Sequence, residues 1–254
     1  MTIRNEIEDQ VKIITIDRPE RKNAVDCKTA QQLYESFIEF EKNNDLKVAI
    51  LTGSENQFCA GADLKAISEG DLNRLEPKGS APMGPTRLHL KKPLIAAIEG
   101  HAVAGGLELA LLADLRVASE ESILGVFCRR VGIPLIDGGT VRLPRIIGLG
   151  RALDMILTGR QIDANESLNI GLINRITKKG KALDEALNLA KMLIDLPERA
   201  MLSDRQSVYE QSDLSLEKAL ENEFLLGVET LKSKEGLNGA QQFSKGKFRH
   251  GHSK

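Results

Sequence analysis

The chain has 254 residues, of which 41% are hydrophobic and 28% charged, as is typical of a soluble globular protein with one large domain or two small ones. Its 35 basic and 36 acidic residues leave a formal net charge of −1, which argues against a dedicated nucleic-acid-binding protein. No apolar run approaches the roughly 20 residues of a membrane span, and the N-terminal segment has no apolar core of a secretory signal. The three cysteines fit neither a disulfide framework nor a zinc site, so we expect a cytoplasmic protein that binds no membrane.

Short apolar runs flanked by polar residues predict three buried strands, at Val11–Ile16, Val48–Leu51 and Leu94–Ile98. Between the first two, apolar residues at helical spacing from position 30 to position 40 predict an amphipathic helix. This alternation of strands and helices indicates an α/β architecture. The stretch 77–85 holds three prolines and two glycines, so it predicts a loop that is either a simple connection or a lid.

The sequence after Pro197 has a helical pattern throughout. Apolar residues recur from Leu216 to Leu231 at spacings of four, four, three and four, which places them on one face of a helix. We therefore divide the chain into a core, residues 1–196, and a C-terminal helical region, residues 197–254. The apolar face of that region is expected to pack on its own domain or on a neighbouring subunit.

A single carboxyl group interrupts the apolar stretch AVAGGLELALLA, which spans residues 102–113. This residue, Glu108, follows the pair Gly105-Gly106 at the predicted start of a helix. Burial raises the pKa of a carboxyl group and suits it to proton transfer near neutral pH. Two interpretations stay open at this point: a proton-transfer residue, or a first-turn glutamate that the helix dipole stabilises.

A second predicted junction between a strand and a helix, FCAGADL at residues 58–64, is also rich in small residues. Asp63 is a candidate N-cap for a helix that begins near Leu64. Small residues at such junctions leave backbone N–H groups accessible to a ligand. If the two junctions converge, their N–H groups form an oxyanion hole with two donors; if they do not, each is only a tight turn.

Together these segments resemble those of the crotonase superfamily, the enoyl-CoA hydratase and isomerase proteins, over nearly the whole chain. The motifs follow the order and rough spacing of that family: DRPE and NAV within residues 17–25, FCAGADL at 58–64, AGGLELA at 104–110, DLR at 114–116, DGGT at 137–140 and LTG at 157–159. The resemblance implies a spiral of ββα units, with C-terminal helices that build a homotrimer or homohexamer.

The resemblance also implies a substrate, an acyl-CoA thioester, and no cofactor besides the coenzyme A that the substrate carries. The thioester oxygen would accept hydrogen bonds from the backbone N–H groups of Ala62 and Gly105. Glu108 would correspond to one of the two catalytic glutamates of the hydratases. The residues that the resemblance assigns to CoA binding are Arg21, Lys22, Ala24, Ala60, Asp63 and Leu64.

The chain departs from the hydratases at their second glutamate, which is expected about nine positions before DGGT. This sequence has Cys128 there, and a thiol with a pKa of about 8.5 is mostly protonated at neutral pH. Asp137 is acidic at a position where dienoyl-CoA isomerases and dihydroxynaphthoyl-CoA synthases also use an aspartate. An ordinary Asp-Gly turn before a helix explains Asp137 equally well.

The leading expectation is an enoyl-CoA hydratase, a lyase that acts through a thioester enolate. The alternative is an enoyl-CoA double-bond isomerase or dienoyl-CoA isomerase that relies on one main carboxylate. A non-catalytic or RNA-binding relative would need a basic surface stripe, which the net charge does not predict. The four histidines lack metal-ligand spacing, so no metal site is expected, and His101 is interpreted as structural.

Overall fold

The computed structural model describes residues 2–246, in which nine strands and ten α-helices occur. The strands are β1 (Ile3–Glu8), β2 (Val11–Ile16), β3 (Val48–Gly53), β4 (Leu94–Ile98), β5 (His101–Val103), β6 (Leu115–Ser119), β7 (Ile123–Gly125), β8 (Gln161–Asp163) and β9 (Arg175–Thr177). The helices are α1 (Cys27–Lys42), α2 (Leu64–Ser68), α3 (Gly105–Leu112), α4 (Gly139–Ile147), α5 (Leu149–Thr158), α6 (Ala164–Asn169), α7 (Ala182–Ile194), α8 (Glu198–Glu210), α9 (Leu216–Lys232) and α10 (Lys234–Ser244). The chain divides into two compact units after Ala190.

The larger sheet of the first unit has the order β1-β2-β3-β4-β6-β9, and all its neighbours are parallel except the antiparallel pair β1 and β2. The three strands expected from apolar runs are β2, β3 and β4; β2 and β4 have the expected ends, and β3 extends to Gly53. Every residue of β2 and β4 is buried, as expected of strands that are covered on both faces. The α/β architecture is therefore confirmed.

A smaller sheet of three strands has the order β5-β7-β8. Strand β5 runs parallel to β7, and β7 runs antiparallel to β8. Each of these strands has three residues, which is too short for a periodic signal in the sequence. The predicted helix after β4 is α3, but β5 comes between them and sets the position at which α3 begins.

Helix α1 is the amphipathic helix expected between β2 and β3. The carboxylate of Asp26 caps its first turn by accepting a hydrogen bond from the Thr29 N–H at 2.8 Å. On the inner face, Leu33, Phe37 and Phe40 are fully buried in the core. Their spacing of four and three residues is the pattern that predicted the helix.

The proline-rich loop 77–85 is only partly a surface feature. Its last residues, including Ala81 and Met83, are buried. Gly84 has a φ of +90°, and a Cβ at this position would lie 2.3 Å from the carbonyl oxygen of Ala30. The end of the loop therefore packs closely against α1, and Pro82 and Met83 form part of the cavity wall described below.

The second unit consists of the end of α7 and helices α8 to α10, as the helical pattern predicted. Ser215 caps α9 with its side chain, and the apolar residues Leu216, Leu220, Phe224 and Leu231 of that helix are more than half exposed. None of the described helices combines the length and the apolar character that crossing a membrane requires. The basic tail after position 246, with His250 and His252, lies outside the described residues.

Candidate active site

The first of the two junctions is the start of α3. Ala104 precedes this helix with a φ of +53°, an uncommon conformation for a residue other than glycine. Gly105 is the first helical residue, so its N–H has no acceptor in the preceding turn. Among the described residues this N–H makes no hydrogen bond.

The second junction contains Ala62, which forms a parallel bridge with Val25. The Val25 N–H donates to the Gly61 carbonyl at 2.8 Å, and the Asp63 N–H donates to the Val25 carbonyl at 3.0 Å. In a parallel pairing the residue between two such partners directs its own N–H to the opposite side. The Ala62 N–H accordingly has no hydrogen-bond acceptor within residues 2–246.

Backbone pairing holds the two junctions side by side. The Cys59 N–H donates to the His101 carbonyl at 2.8 Å, and the Val103 N–H donates to the Cys59 carbonyl at 3.2 Å. A Cβ placed on Gly61 would lie 3.0 Å from the nitrogen of Gly105. The two junctions are therefore adjacent, as the two-donor hypothesis requires, and the binding of one oxygen by both N–H groups stays a prediction.

Glu108 lies in the first turn of α3 and is 3% exposed. Its Oε1 accepts two backbone hydrogen bonds, from the Asp137 N–H at 2.9 Å and from the Gly139 N–H at 2.7 Å. Burial raises the pKa of Glu108 to about 7, although the Gly139 N–H opposes the shift. This carboxyl group therefore gains and loses a proton near neutral pH.

Asp137 is the second carboxyl group of the site, and it is also buried. Its Oδ1 accepts hydrogen bonds from the Met83 N–H at 2.9 Å and from the Thr86 hydroxyl at 2.5 Å. Burial raises the pKa of Asp137, and the Thr86 hydroxyl works against that shift. The Asp137-Gly138 pair does turn the chain into α4, but Asp137 also lines the cavity, and its side chain does not cap that helix.

Cys128 lies in a short 3₁₀ helix, Phe127–Val131, which forms another part of the wall. Burial raises the pKa of its thiol, and the charge of Glu108 raises it further. The thiol is therefore protonated at neutral pH and is a poor substitute for a carboxylate base.

These residues surround one cavity of about 570 Å³. Its wall includes Ala62 and Gly105 from the two junctions and also Glu108, Cys128 and Asp137. Most of the remaining wall is apolar, and the further polar residues in it are Asn73 and Arg130. An apolar cavity with a few convergent polar groups and shifted pKa values is typical of an active site.

Comparison with known proteins agrees with this geometry. Residues 6–251 match the family described as enoyl-CoA hydratase/isomerase. The chain belongs to this family. One curated relative is carnitinyl-CoA dehydratase of Escherichia coli, which is 37% identical over 81% of this chain and 79% of its own length. Another is carnitinyl-CoA dehydratase of Salmonella paratyphi A, which is 35% identical over 91% of this chain and 90% of its own length. The crystal structure of an enoyl-CoA hydratase from Mycobacterium tuberculosis covers 96% of both chains at 35% identity, with a TM-score of 0.90.

The crotonase fold expected from the sequence is thereby confirmed, and so is the processing of acyl-CoA thioesters by this family of enzymes. A crystal structure of enoyl-CoA hydratase from Mycobacterium marinum gives the same result, with a TM-score of 0.89 at 34% identity.

Two of the six residues that the resemblance assigned to CoA line this cavity. Ala60 and Leu64 line it, and the Ala60 N–H donates to the carbonyl of Lys22 at 3.1 Å. Arg21 is half-buried and Lys22 is exposed, so both cationic side chains have solvent access, whereas Ala24 is buried. Their contact with CoA stays a prediction.

Asp63 has a structural role that the sequence predicted. Its Oδ1 accepts hydrogen bonds from the N–H groups of Lys65 and Ala66 and so caps α2. Its Oδ2 lies 2.9 Å from the Arg18 guanidinium in a buried ion pair that also includes Asp26. Both oxygens are thus engaged in contacts that hold α2 and the Arg18 side chain.

Sequence reasoning missed the groups that orient the two carboxylates. A Cβ on Gly139 would lie 2.9 Å from Oε1 of Glu108, so only glycine lets this backbone N–H approach so closely. Met83 and Thr86 hold Asp137 from a segment more than fifty residues away in the chain. Of these three residues, only Gly139 had a signal in the sequence, as the second glycine of the motif DGGT.

Two residues considered from the sequence lie apart from the chemistry. Cys59 is fully buried, and burial raises the pKa of its thiol to about 12, which excludes a nucleophilic thiolate. Nδ1 of His101 lies 3.0 Å from the amide oxygen of Gln57, and neither Cys59 nor His101 lines the cavity. Within residues 2–246, no three His, Cys, Asp or Glu side chains are placed to hold a metal ion together.

Proposed function

We propose that the protein is an acyl-CoA lyase of the hydratase type, which adds water to a 2-enoyl-CoA or removes it from a 3-hydroxyacyl-CoA. The observation that carries this proposal is Glu108, a buried carboxyl group with a pKa of about 7 that lines the same cavity as the two free N–H groups. The names of the curated relatives and solved structures, dehydratase and hydratase, support the same class of reaction.

In the proposed reaction the thioester oxygen accepts hydrogen bonds from the N–H groups of Ala62 and Gly105. These fixed donors stabilise the negative charge that develops on that oxygen in the enolate-like transition state. In the direction of dehydration, the Glu108 carboxylate takes a proton from carbon 2 and hydroxide leaves from carbon 3. Asp137 supplies the proton that turns the departing hydroxide into water. Hydration is the reverse, and neither direction needs a cofactor.

A double-bond isomerase is the second candidate, and Cys128 is the observation that favours it. In the simplest isomerisation, one carboxylate takes a proton from one carbon and returns it to another. Such a reaction needs no water and no second carboxylate at the position of Cys128. Glu108 alone suffices for this chemistry.

A panel of enoyl-CoA thioesters decides between the two candidates. Each compound is incubated with the protein, and the products are resolved by mass and by chromatographic retention. A gain of one water identifies a hydratase, whereas a change in retention at constant mass identifies an isomerase. If compounds with short, long, branched and aromatic acyl chains all remain unchanged, that result contradicts both candidate functions.

The exposed apolar face of α9 supports a further part of the proposal, that the protein is a homotrimer or homohexamer in the cytoplasm. Leu216 and Leu231 are each more than 70% exposed, and a face of that kind is typical of a subunit interface. Light scattering at micromolar concentration tests this. A mass near that of one 27.8 kDa chain would contradict it.

A further inference from the structure

The two carboxyl oxygens of Asp137 have different surroundings. Oδ1 accepts hydrogen bonds from the Met83 N–H, at 2.9 Å, and from the Thr86 hydroxyl, at 2.5 Å. Oδ2 accepts none from the residues that the structure describes, and it is not one of the unpaired side-chain atoms that the fold closes off from solvent. Oδ2 therefore keeps accessible surface, in a residue that lines the cavity.

This difference decides which oxygen carries the proton when Asp137 is neutral. A protonated carboxyl group has its O–H on one oxygen, and the other oxygen remains an acceptor. A proton on Oδ1 would have to displace the hydrogen of the Met83 N–H or that of the Thr86 hydroxyl, whereas a proton on Oδ2 meets no competing donor of the described chain. The neutral acid therefore has its proton on Oδ2.

Arg142 joins the two segments of the chain that meet at Asp137. Its half-buried guanidinium, on α4, donates to the Asp137 carbonyl at 3.1 Å and to the Thr86 carbonyl at 2.6 Å. The Thr86 hydroxyl closes this ring by donating to Oδ1 of Asp137. A Cβ on Gly138 would lie 2.2 Å from Nη1 of Arg142, so the glycine makes room for the guanidinium. One rigid, planar fork thus fixes both the backbone of Asp137 and the residue whose hydroxyl holds its side chain.

We propose that Asp137 donates its proton from Oδ2, and that Thr86 and Arg142 are positioning residues that keep this oxygen directed at the substrate. This inference rests on the proposed function, in which Asp137 protonates the departing hydroxide. The Oδ2–H bond breaks as the bond between carbon 3 and its oxygen breaks, so the group leaves as water and Asp137 is left as a carboxylate. Without the Thr86 hydroxyl, either oxygen of Asp137 can carry the proton and the side chain can turn it away from carbon 3.

The first test is Thr86→Val, which keeps the size of the side chain and removes its hydroxyl. With the best substrate of the thioester panel, kcat should fall about three- to tenfold, at most the whole loss expected for Asp137→Asn. KM should stay within about twofold, because the hydroxyl contacts Asp137. Thr86→Ser returns a hydroxyl and should recover most of the lost kcat. The matched control is Thr52→Val, which removes a buried hydroxyl that donates to the Ala97 carbonyl outside the cavity, and it should leave kcat unchanged.

The second test is Arg142→Lys, which keeps a positive charge and loses the fork that reaches two carbonyl groups. It should lower kcat several-fold at nearly constant KM, and it gives an independent result if Thr86→Val does not fold. Each substitution is then combined with Asp137→Asn. Because that variant has no proton to direct, we expect less than about a twofold further loss from either substitution, a non-additivity that marks residues acting through one group.

Three results would overturn the proposal: an unchanged kcat in both single variants, a loss that appears only in KM, or a full further loss when Asp137 is already asparagine. The last would mean that Thr86 and Arg142 act on something other than the proton of Asp137. An unchanged kcat in Asp137→Asn itself would contradict the acid role in the proposed function. A loss in Asp137→Asn without one in Thr86→Val and Arg142→Lys contradicts only the positioning role.

Discussion

The two carboxyl groups of the cavity are held by different kinds of structure. Glu108 lies in α3, a helix whose eight residues are all buried, and its Oε1 accepts hydrogen bonds from backbone N–H groups only. Asp137 lies in the loop before α4, where the Thr86 hydroxyl also donates to it and the positive charges of Arg87 and Arg142 oppose the effect of burial on its pKa.

This difference assigns different tasks to similar groups. A carboxyl group in apolar surroundings, with a pKa of about 7, is suited to exchange a proton in each turnover. A carboxyl group fixed by a hydroxyl, a backbone N–H and nearby cations is suited to donate its proton to the departing hydroxide from one fixed orientation. We expect substitutions at Glu108 to affect the reaction rate more strongly than those at Asp137.

The largest effect is expected for Glu108→Gln, which keeps the shape of the side chain and removes its proton exchange. Turnover should fall by about 10² to 10⁴, the usual contribution of a general acid or base, with the affinity for CoA thioesters unchanged within several-fold. In the dehydration direction, where the carboxylate is the base, the wild-type rate should increase as pH rises through about 7. Steady-state kinetics measure both, and near-wild-type turnover of the variant would refute the assignment.

Gly139→Ala tests whether the backbone donors orient Glu108. The added Cβ would lie 2.9 Å from Oε1, so the carboxylate or the loop must move. A displacement of about 1 Å at a catalytic group can reduce the rate about a hundredfold, and we expect a loss of about 10- to 100-fold. Gly150→Ala in α5 is the matched control, because a Cβ there meets no atom within 4 Å. Equal activity of the two variants would show that catalysis does not depend on the close approach of Gly139 to Glu108.

Asp137→Asn should have a smaller effect, a loss of about tenfold, which is below the 10² to 10⁴ that a general acid or base usually contributes. The amide oxygen of the variant can still accept the hydrogen bonds from Met83 and Thr86, so its orientation is retained while its proton exchange is lost. The measurement is kcat for the best substrate of the panel. A loss as large as that of Glu108→Gln would remove the distinction between the two groups.

Cys128→Glu should increase hydration of a short enoyl-CoA several-fold, because a carboxylate accepts a proton from water far better than a neutral thiol. Cys128→Ser serves as the control, since it changes the side chain without adding charge. If the unmodified protein already hydrates crotonyl-CoA with kcat/KM of about 10⁷ to 10⁸ M⁻¹s⁻¹, the upper end for enzymes, the thiol is no handicap and the prediction is wrong.

The smallest effect concerns stability. Folding raises the pKa of Glu108 from 4.5 to about 7, so ionisation of this group disfavours the folded state increasingly between those two pH values. The neutral Gln variant avoids this penalty and should be about 1 to 3 kcal/mol more stable than the wild type at pH 8, with the difference shrinking toward pH 5. Urea unfolding at both pH values measures it; a difference independent of pH would contradict the sign argued here.

The sequence predicted those parts of the molecule whose signal is local. The apolar run of β4 and the spacing of Leu33, Phe37 and Phe40 in α1 depend on neighbouring residues, and both elements were placed correctly. Glu108 was found for the same reason, as one charge in an apolar stretch.

The contacts that orient the site carry no comparable signal. The Met83 N–H that holds Asp137 is a backbone group, and nothing in a methionine side chain reveals it. The three-residue strands β5, β7 and β8 are likewise determined by partners distant in the chain. For Asp137 itself, the sequence left a turn and a site residue equally open, and the structure places this residue in the cavity wall.

The most direct test of the central claim, that Glu108 moves a proton to and from a carbon of an acyl-CoA, is incorporation of solvent deuterium. The protein and its best substrate from the panel are incubated in deuterium oxide, and mass spectrometry counts the deuterium bound to carbon in the acyl product. Hydration places a solvent-derived proton on carbon 2, and isomerisation does so to the extent that the Glu108 carboxyl exchanges with solvent before it returns the proton. We expect incorporation with the wild type and at least about a hundredfold slower incorporation with Glu108→Gln. Incorporation by the variant at the wild-type rate would contradict the claim.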